Sequence, residues 1–270
     1  MSETLMRFIT ILGISSLVGI IFILDNYFSF IITIFIISTY AFYEWISITS
    51  KSKLYLLLFL IIISLIYSQS FIDTRIISFV TLAIWIVFIM IMYFNTNLFK
   101  YLIRKQSLAI GLFIFSSFFY LLINFFLDNN SVSNDITLVD SKYYLLFFII
   151  LISSVDIFSY LFGKIFGSFR VVPKISPNKT VEGYLGGYIS TIIIYIAFCK
   201  TFGISWLSFD IIYLTLLVLL AFSGDLYISL VKRTFEIKNT GNLLPGHGGL
   251  LDRLDSYLPS ISLFTLWMMI

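Results

Sequence analysis

Ile76-Ile-Ser-Phe-Val-Thr-Leu-Ala-Ile-Trp-Ile-Val-Phe-Ile-Met-Ile-Met-Tyr-Phe94 runs for nineteen residues without a charge. A helix rises 1.5 Å per residue, so this run covers roughly 28 Å, close to the ~30 Å hydrocarbon core of a bilayer. The same rule, applied outward, finds about nine such runs. They lie near 6–24, 27–48, 53–68, 76–94, 108–127, 143–162, 181–199, 205–224 and 254–270. Of the 270 residues, 60% are hydrophobic and 11% charged, whereas soluble domains carry about 25% charged residues. The expected fold is all-α: a polytopic integral membrane protein. The first run is followed by no small-residue cleavage signal, so it reads as an uncleaved span.

Orientation follows from Lys and Arg placement. With the N-terminus in the cytosol, only Arg75, Lys142 and Lys200 fall outside; the other fourteen of the 17 basic residues face the cytosol. The net charge of +3 is therefore a topology signal and points to no nucleic-acid partner. A single cysteine, Cys199, excludes an internal disulfide framework and points away from a thiolate metal site. The longest cytosolic connections, 163–180 and 225–253, carry the dense polar motifs, so chemistry is expected on the cytosolic side.

The densest motif is Ser229-Leu-Val-Lys232-Arg233, four residues, Lys238, and then Pro245-Gly-His247-Gly248-Gly249-Leu-Leu-Asp252-Arg253-Leu-Asp255. Glycines let backbone amides approach phosphate oxygens closely. Asp252 and Asp255 share a face if the last span starts there. Asp252 also suits a helix N-cap, and Arg253 a positive-inside flank. Gly224-Asp225 closes the eighth run, where Asp225 reads equally as a solvated helix-end carboxylate. If the loop after it folds back, Asp225 and Asp252 meet, and two carboxylates at one place call for a cation. Hard Mg²⁺ takes a few carboxylates plus substrate phosphates, so both residues are expected to bind it.

Ser176-Pro-Asn-Lys179-Thr180-Val-Glu-Gly183 precedes the seventh run. Its hydroxyls and ammonium at a helix start suit an anion, or an ordinary cap. Asp156, inside the sixth run with Tyr160 on the same face, is a functional candidate because intramembrane carboxylates are costly. Lys164 follows in Gly163-Lys-Ile-Phe-Gly167. Glu44-Trp45 reads as an interfacial aromatic with a solvated Glu. His247 is expected to touch a phosphate or leaving group; an anionic phosphate nucleophile needs no base.

Together these residues resemble the phosphatidate cytidylyltransferase (CDP-diacylglycerol synthase) family. Its signature is matched by Ser229, Lys232, Arg233, Lys238, Pro245, His247, Gly248, Gly249, Asp252, Arg253 and Asp255. Asp156 to Gly167, Ser176 to Gly183 and Gly224-Asp225-Leu226 match its upstream motifs. The resemblance covers 143–270, while the first half shares only span pattern and Glu44-Trp45.

The resemblance implies transfer of CMP from CTP to phosphatidate, yielding CDP-diacylglycerol and pyrophosphate. It implies Mg²⁺ at Asp225 and Asp252, with allowance for a second cation such as K⁺. Lys179, Lys232, Arg233, Lys238 and Arg253 would neutralise phosphates. Ser176, Thr180 and the Gly248-Gly249 backbone would donate hydrogen bonds, and Asp156 and Asp255 would orient the basic groups. Residues 1–142 would form a scaffold and lipid groove, and 143–270 the catalytic part. The expected setting is a bacterial inner or cell membrane with the site facing the cytosol, and a homodimer is implied by the family alone. Two departures stand out: Asn239 replaces an Asp of the signature, and Ile228 a Glu of many members. They keep open a non-catalytic paralogue, as well as a cytidylyltransferase for another lipid phosphate. Ile228→Glu is expected to be tolerated. A transporter, with carboxylates near the bilayer midplane and internal repeats, fits less well, because the ionisable residues here cluster at cytosolic span ends.

Overall fold

The computed structural model describes residues 27–49, 54–68, 73–127, 141–173, 175–203, 208–243 and 248–269. The expected span at 6–24, Pro245 and His247 lie outside the described residues. The elements in order are α1 (Tyr27–Thr49), α2 (Leu54–Ser68), α3 (Thr74–Phe94), α4 (Thr96–Leu127), α5 (Ser141–Phe166), β1 (Arg170–Val172), β2 (Ser176–Thr180), α6 (Val181–Phe202), α7 (Ser208–Thr234), α8 (Leu251–Leu254) and α9 (Tyr257–Met268). Among the described residues, six helices are long and apolar enough to cross a membrane: α1, α3, α4, α5, α6 and α7. They carry large apolar side chains on their outside, such as Phe79 at 62% exposure and Ile193 at 61%. Such faces suit lipid and would be an aggregation liability in water.

One expectation changes here, and it concerns the last run. The described part of the run at 53–68 forms α2, a helix of 15 residues. The run at 254–270 is not one helix: α8 stops at Leu254, and α9 begins at Tyr257 and has only 12 residues. Pro259 is tolerated in the first turn of α9 because no intrahelical partner awaits its missing N–H. The all-α fold carries one short two-stranded ribbon. β1 and β2 pair antiparallel, with Arg170 opposite Thr180 and Val172 opposite Ser176. Pro173 and Pro177 lack the N–H a helix needs and push their predecessors toward extended backbone, and Val171 and Val172 favour it.

The chain divides into two compact units. Of the described residues, the first comprises 27–49, 54–68, 73, 90–123, 231–243 and 248–254. In it Phe42 of α1 stacks on Phe59 of α2 at 4.4 Å, with Phe115 of α4 edge-on to Phe42 at 5.8 Å. α4 leaves helical geometry at Gln106 (φ −120°, ψ 19°). Just past the break, the carbonyl of Ser107 accepts a 2.9 Å bond from the fully buried indole N–H of Trp45. Gly111 makes room for that ring, since a Cβ there would lie 2.2 Å from Nε1. Ahead of the break, Arg104 donates to the carbonyl of Thr234 at 3.1 Å.

Of the described residues, the second unit comprises 74–89, 124–127, 141–173, 175–203, 208–230 and 255–269. α5 and α6 approach closely because α6 presents glycines: a Cβ on Gly183 would lie 2.6 Å from the carbonyl oxygen of Ser159. Small residues are the usual device for close helix contact in membranes. Tyr227 of α7 is buried against Trp85 and Phe88 of α3 at 5.1 and 5.8 Å, and Ser78 shares a 2.8 Å hydroxyl bond with Thr265 of α9.

Candidate active site

The polar motifs form a cluster within each unit. In the second unit the corner between β2 and α6 sets the geometry. Thr180 is the N-cap of α6, extended at φ −119° and ψ 156°, and its hydroxyl accepts the Gly183 amide at 3.2 Å. This satisfies one of the free amides of the first turn and fixes Lys179 beside the cap. The Lys179 ammonium pairs with Oδ2 of Asp225 on α7. One turn on, the Ser229 hydroxyl lies 3.5 Å from the other Asp225 oxygen. Burial pulls the Lys179 pKa down, but the carboxylates of Asp225 and, further off, Asp156 outweigh it, so the net shift is upward. Lys179 is therefore a fixed cation at neutral pH.

Around this pair, Asp156 of α5 accepts from the Ser256 hydroxyl at 3.0 Å, and the Ser256 amide donates to Oδ1 of buried Asp255 at 2.9 Å. Asp156 and Asp255 thus fasten the turn before α9. Ser176 sits half-buried at the far end of β2 from Lys179. Lys164 is exposed in the last turn of α5, with its ammonium 6.0 Å from the ring of Tyr160.

In the first unit the Lys232 ammonium pairs with Oδ1 of Asp252 at 2.6 Å. Both side chains are largely buried, at 16% and 9% exposure, so the charges compensate each other where solvent screening is weak. Asp252 Oδ2 accepts three bonds: from the Thr240 amide at 3.0 Å, the Thr240 hydroxyl at 3.0 Å and the Gly249 amide at 3.2 Å. Gly248 adopts φ +89°, a conformation few other residues take, and a Cβ there would lie 2.8 Å from the same oxygen. One sequence reading changes: Asp252 lies inside α8 and reaches back to the preceding loop, so it is not the N-cap. The Gly249 amide, expected on a phosphate, donates to Asp252 in this structure. Arg233, Lys238 and Arg253 are exposed.

Sequence reasoning missed Glu44 and Thr240. Glu44 of α1 is not solvated but 2% exposed, and it accepts the amides of Leu250 and Leu251 at 3.0 and 2.8 Å. A carboxylate inside an apolar run is a functional candidate by default, and that signal was present in the sequence. Thr240 gave none, being one small polar residue in a polar loop. Of the two departures from the signature, Ile228 is fully buried and Asn239 exposed beside Gly248.

Comparison with known proteins gives a match to the model of the cytidylyltransferase family over residues 5–270. Among individual relatives, a phosphatidate cytidylyltransferase of Staphylococcus haemolyticus is 40% identical over 126 residues, covering 44% of this chain and 46% of that protein. One from Bacillus subtilis is 41% identical over 119 residues, covering 43% of each. One from Staphylococcus aureus is 38% identical over 120 residues, with 44% and 46% covered. The chain spans somewhat under half the length of the relatives it matches.

Proposed function

This chain belongs to the cytidylyltransferase family, and from that premise we propose that it transfers CMP from CTP to phosphatidate, releasing pyrophosphate and leaving CDP-diacylglycerol in the membrane. The observation that carries the reading is the pair of compensated carboxylates, Lys179 with Asp225 and Lys232 with Asp252. The first joins residues of two motifs, and the second joins the two ends of one. The relatives' printed activity, phosphatidate cytidylyltransferase, supports the choice of substrates.

An anionic oxygen of the phosphatidate phosphate attacks the α-phosphorus of CTP. The bond from that phosphorus to the bridging oxygen breaks, and pyrophosphate leaves with the electron pair. The nucleophile carries its own charge, so no base is required. The work left to the protein is positioning and neutralisation of charge. Lys179 and Lys232 serve as cations of fixed position, and the exposed Arg233, Lys238 and Arg253 as the polar approach for the triphosphate. The lipid reaches the site from the bilayer and the nucleotide from the cytosol, the orientation that Lys and Arg placement favours.

Asp225 and Asp252 are each proposed as ligands of Mg²⁺, which when bound supplies Lewis-acid polarisation and charge screening at phosphate oxygens. The donor set fits. Three donors hold Asp252 Oδ2, leaving Oδ1 for a cation, and a lysine ammonium stands there in this structure. Asp225 likewise faces an ammonium. Among the described residues no three His, Cys, Asp or Glu converge, so substrate oxygens and water would supply the other ligands, as is common for Mg²⁺.

The test is transfer of labelled CMP from CTP to phosphatidate by the pure protein in detergent, with and without Mg²⁺. Mg²⁺-dependent CDP-diacylglycerol is expected. Folded protein that forms none, beside a working relative, overturns the reading.

A further inference from the structure

We propose that Glu44 and Thr240 are positioning residues: Glu44 acts through Thr240 and the first turn of α8 to fix how Asp252 presents Oδ1. The catalytic part of this inference rests on the nucleotidyl transfer proposed above; the geometric part does not.

All the contacts involved lie within the first unit. Both oxygens of Glu44 are engaged: Oε1 accepts the Leu250 amide and Oε2 the Leu251 amide, with the Thr240 hydroxyl 3.1 Å from Oε2. Gly241 and Gly249 flank the carboxylate, and a Cβ on either would lie 2.3 or 2.4 Å from its oxygens. The loop is therefore moulded around Glu44. That alone would describe a structural pin, because a buried carboxylate must be hydrogen-bonded.

The role goes further because the groups Glu44 holds are those that hold Asp252. The Thr240 hydroxyl lies 3.1 Å from Glu44 Oε2 and 3.0 Å from Asp252 Oδ2. It has one proton and so donates to one carboxylate at a time. The Thr240 amide and the Gly249 amide complete the grip on Oδ2, and Oδ1 is left facing Lys232. Neither Glu44 nor Thr240 needs to touch substrate. Their effect is the orientation of one carboxylate oxygen, the kind of outer support that tunes a metal ligand.

The experiment compares wild type, Glu44→Gln, Thr240→Val, the double variant and Thr240→Ser as full chains in detergent. Mn²⁺ affinity is read by electron paramagnetic resonance, and Mg²⁺ dependence by CMP transfer. Glu44→Gln replaces one acceptor oxygen by a donor amide, and Thr240→Val removes only the hydroxyl. Each is expected to weaken Mn²⁺ binding on the order of tenfold, and to raise the Mg²⁺ needed for half-maximal rate with a smaller change in the CTP KM. The double variant should be no worse than the worse single, because both act on one chain of bonds. Thr240→Ser should bind Mn²⁺ like wild type. Wild-type affinity in folded Thr240→Val, or additive losses in the double variant, would overturn the proposal. If Glu44→Gln does not fold, Thr240→Val against Thr240→Ser decides it. A wild type that binds Mn²⁺ but makes no CDP-diacylglycerol sinks the proposed reaction, and the Mn²⁺ series still reads the positioning.

Discussion

The backbone of Gly224 lies against the carbonyl of Asp255, so close that a Cβ at Gly224 would sit 2.2 Å from that oxygen and 2.7 Å from Pro259. The residue before Asp225 is thus where α7 meets the turn into α9. Gly224→Ala must push that turn away. Overpacking of this kind costs about 1–3 kcal/mol, and it displaces the helix face that carries Asp225. The expected outcome is a lowered unfolding temperature in detergent and a loss of CMP transfer. Gly203→Ala is the control. Gly203 ends α6 at φ +66° with open space where the Cβ would go, so only the left-handed strain of about 1 kcal/mol applies, and activity should persist.

Asp225→Asn and Asp252→Asn each keep the shape of the side chain and remove its charge. Each leaves a largely buried lysine, Lys179 or Lys232, facing a neutral amide. Turnover is expected to fall below detection in both, while membrane insertion, read by extraction and gel filtration, is retained. Wild-type-like rates in either variant would remove that carboxylate from the chemistry.

The Lys179–Asp225 pair has a defined pH signature. The folded pKa of Lys179 is raised above lysine's ordinary 10.5. Its contribution to stability is therefore fully present below the ordinary value and lost only as pH rises through the folded one. From about pH 6 to 9 the gap in unfolding temperature between wild type and Lys179→Met should stay constant, because Lys179 does not titrate there. A gap that closes across this window would mean that the ammonium is not held as the structure has it.

Ile228 reverses an expectation formed from sequence alone. Against a signature that often carries Glu there, Ile228→Glu looks harmless. In the fold Ile228 is fully buried between Tyr227 and Ser229 on α7, and an unpaired carboxylate in such surroundings costs several kcal/mol. The variant is expected to lose both stability and activity; thermal unfolding and the CMP-transfer assay check this. The case marks a limit of sequence reading. Long apolar runs made the helices legible, since twenty apolar residues have few other fates, and the charged motifs stood out against them. Their partners did not. Lys179 meets Asp225 across 46 positions and Glu44 meets Leu251 across 207, and no local pattern encodes which end of which helix they share. The break at Asp255-Ser256 was hidden for another reason: the residues after it are as apolar as a span, and only the packing of Gly224 against the turn reveals the corner.

A last prediction separates the chemistry from mere stability. Asp210 is buried near the start of α7 and accepts from the Tyr195 hydroxyl and, at 3.3 Å, from the Trp267 indole. It precedes Asp225 by fifteen residues, roughly 22 Å along a helix, so these bonds tie α6, α7 and α9 far from Asp225. Tyr195→Phe removes one bond to a charged acceptor, a change worth about 1.5–3 kcal/mol. The unfolding temperature should drop, yet the Mg²⁺ concentration for half-maximal transfer should match wild type. A shift in that Mg²⁺ dependence would mean that Tyr195 acts on the site through α7, and that loss of stability and loss of metal-ligand geometry are not separable in this protein.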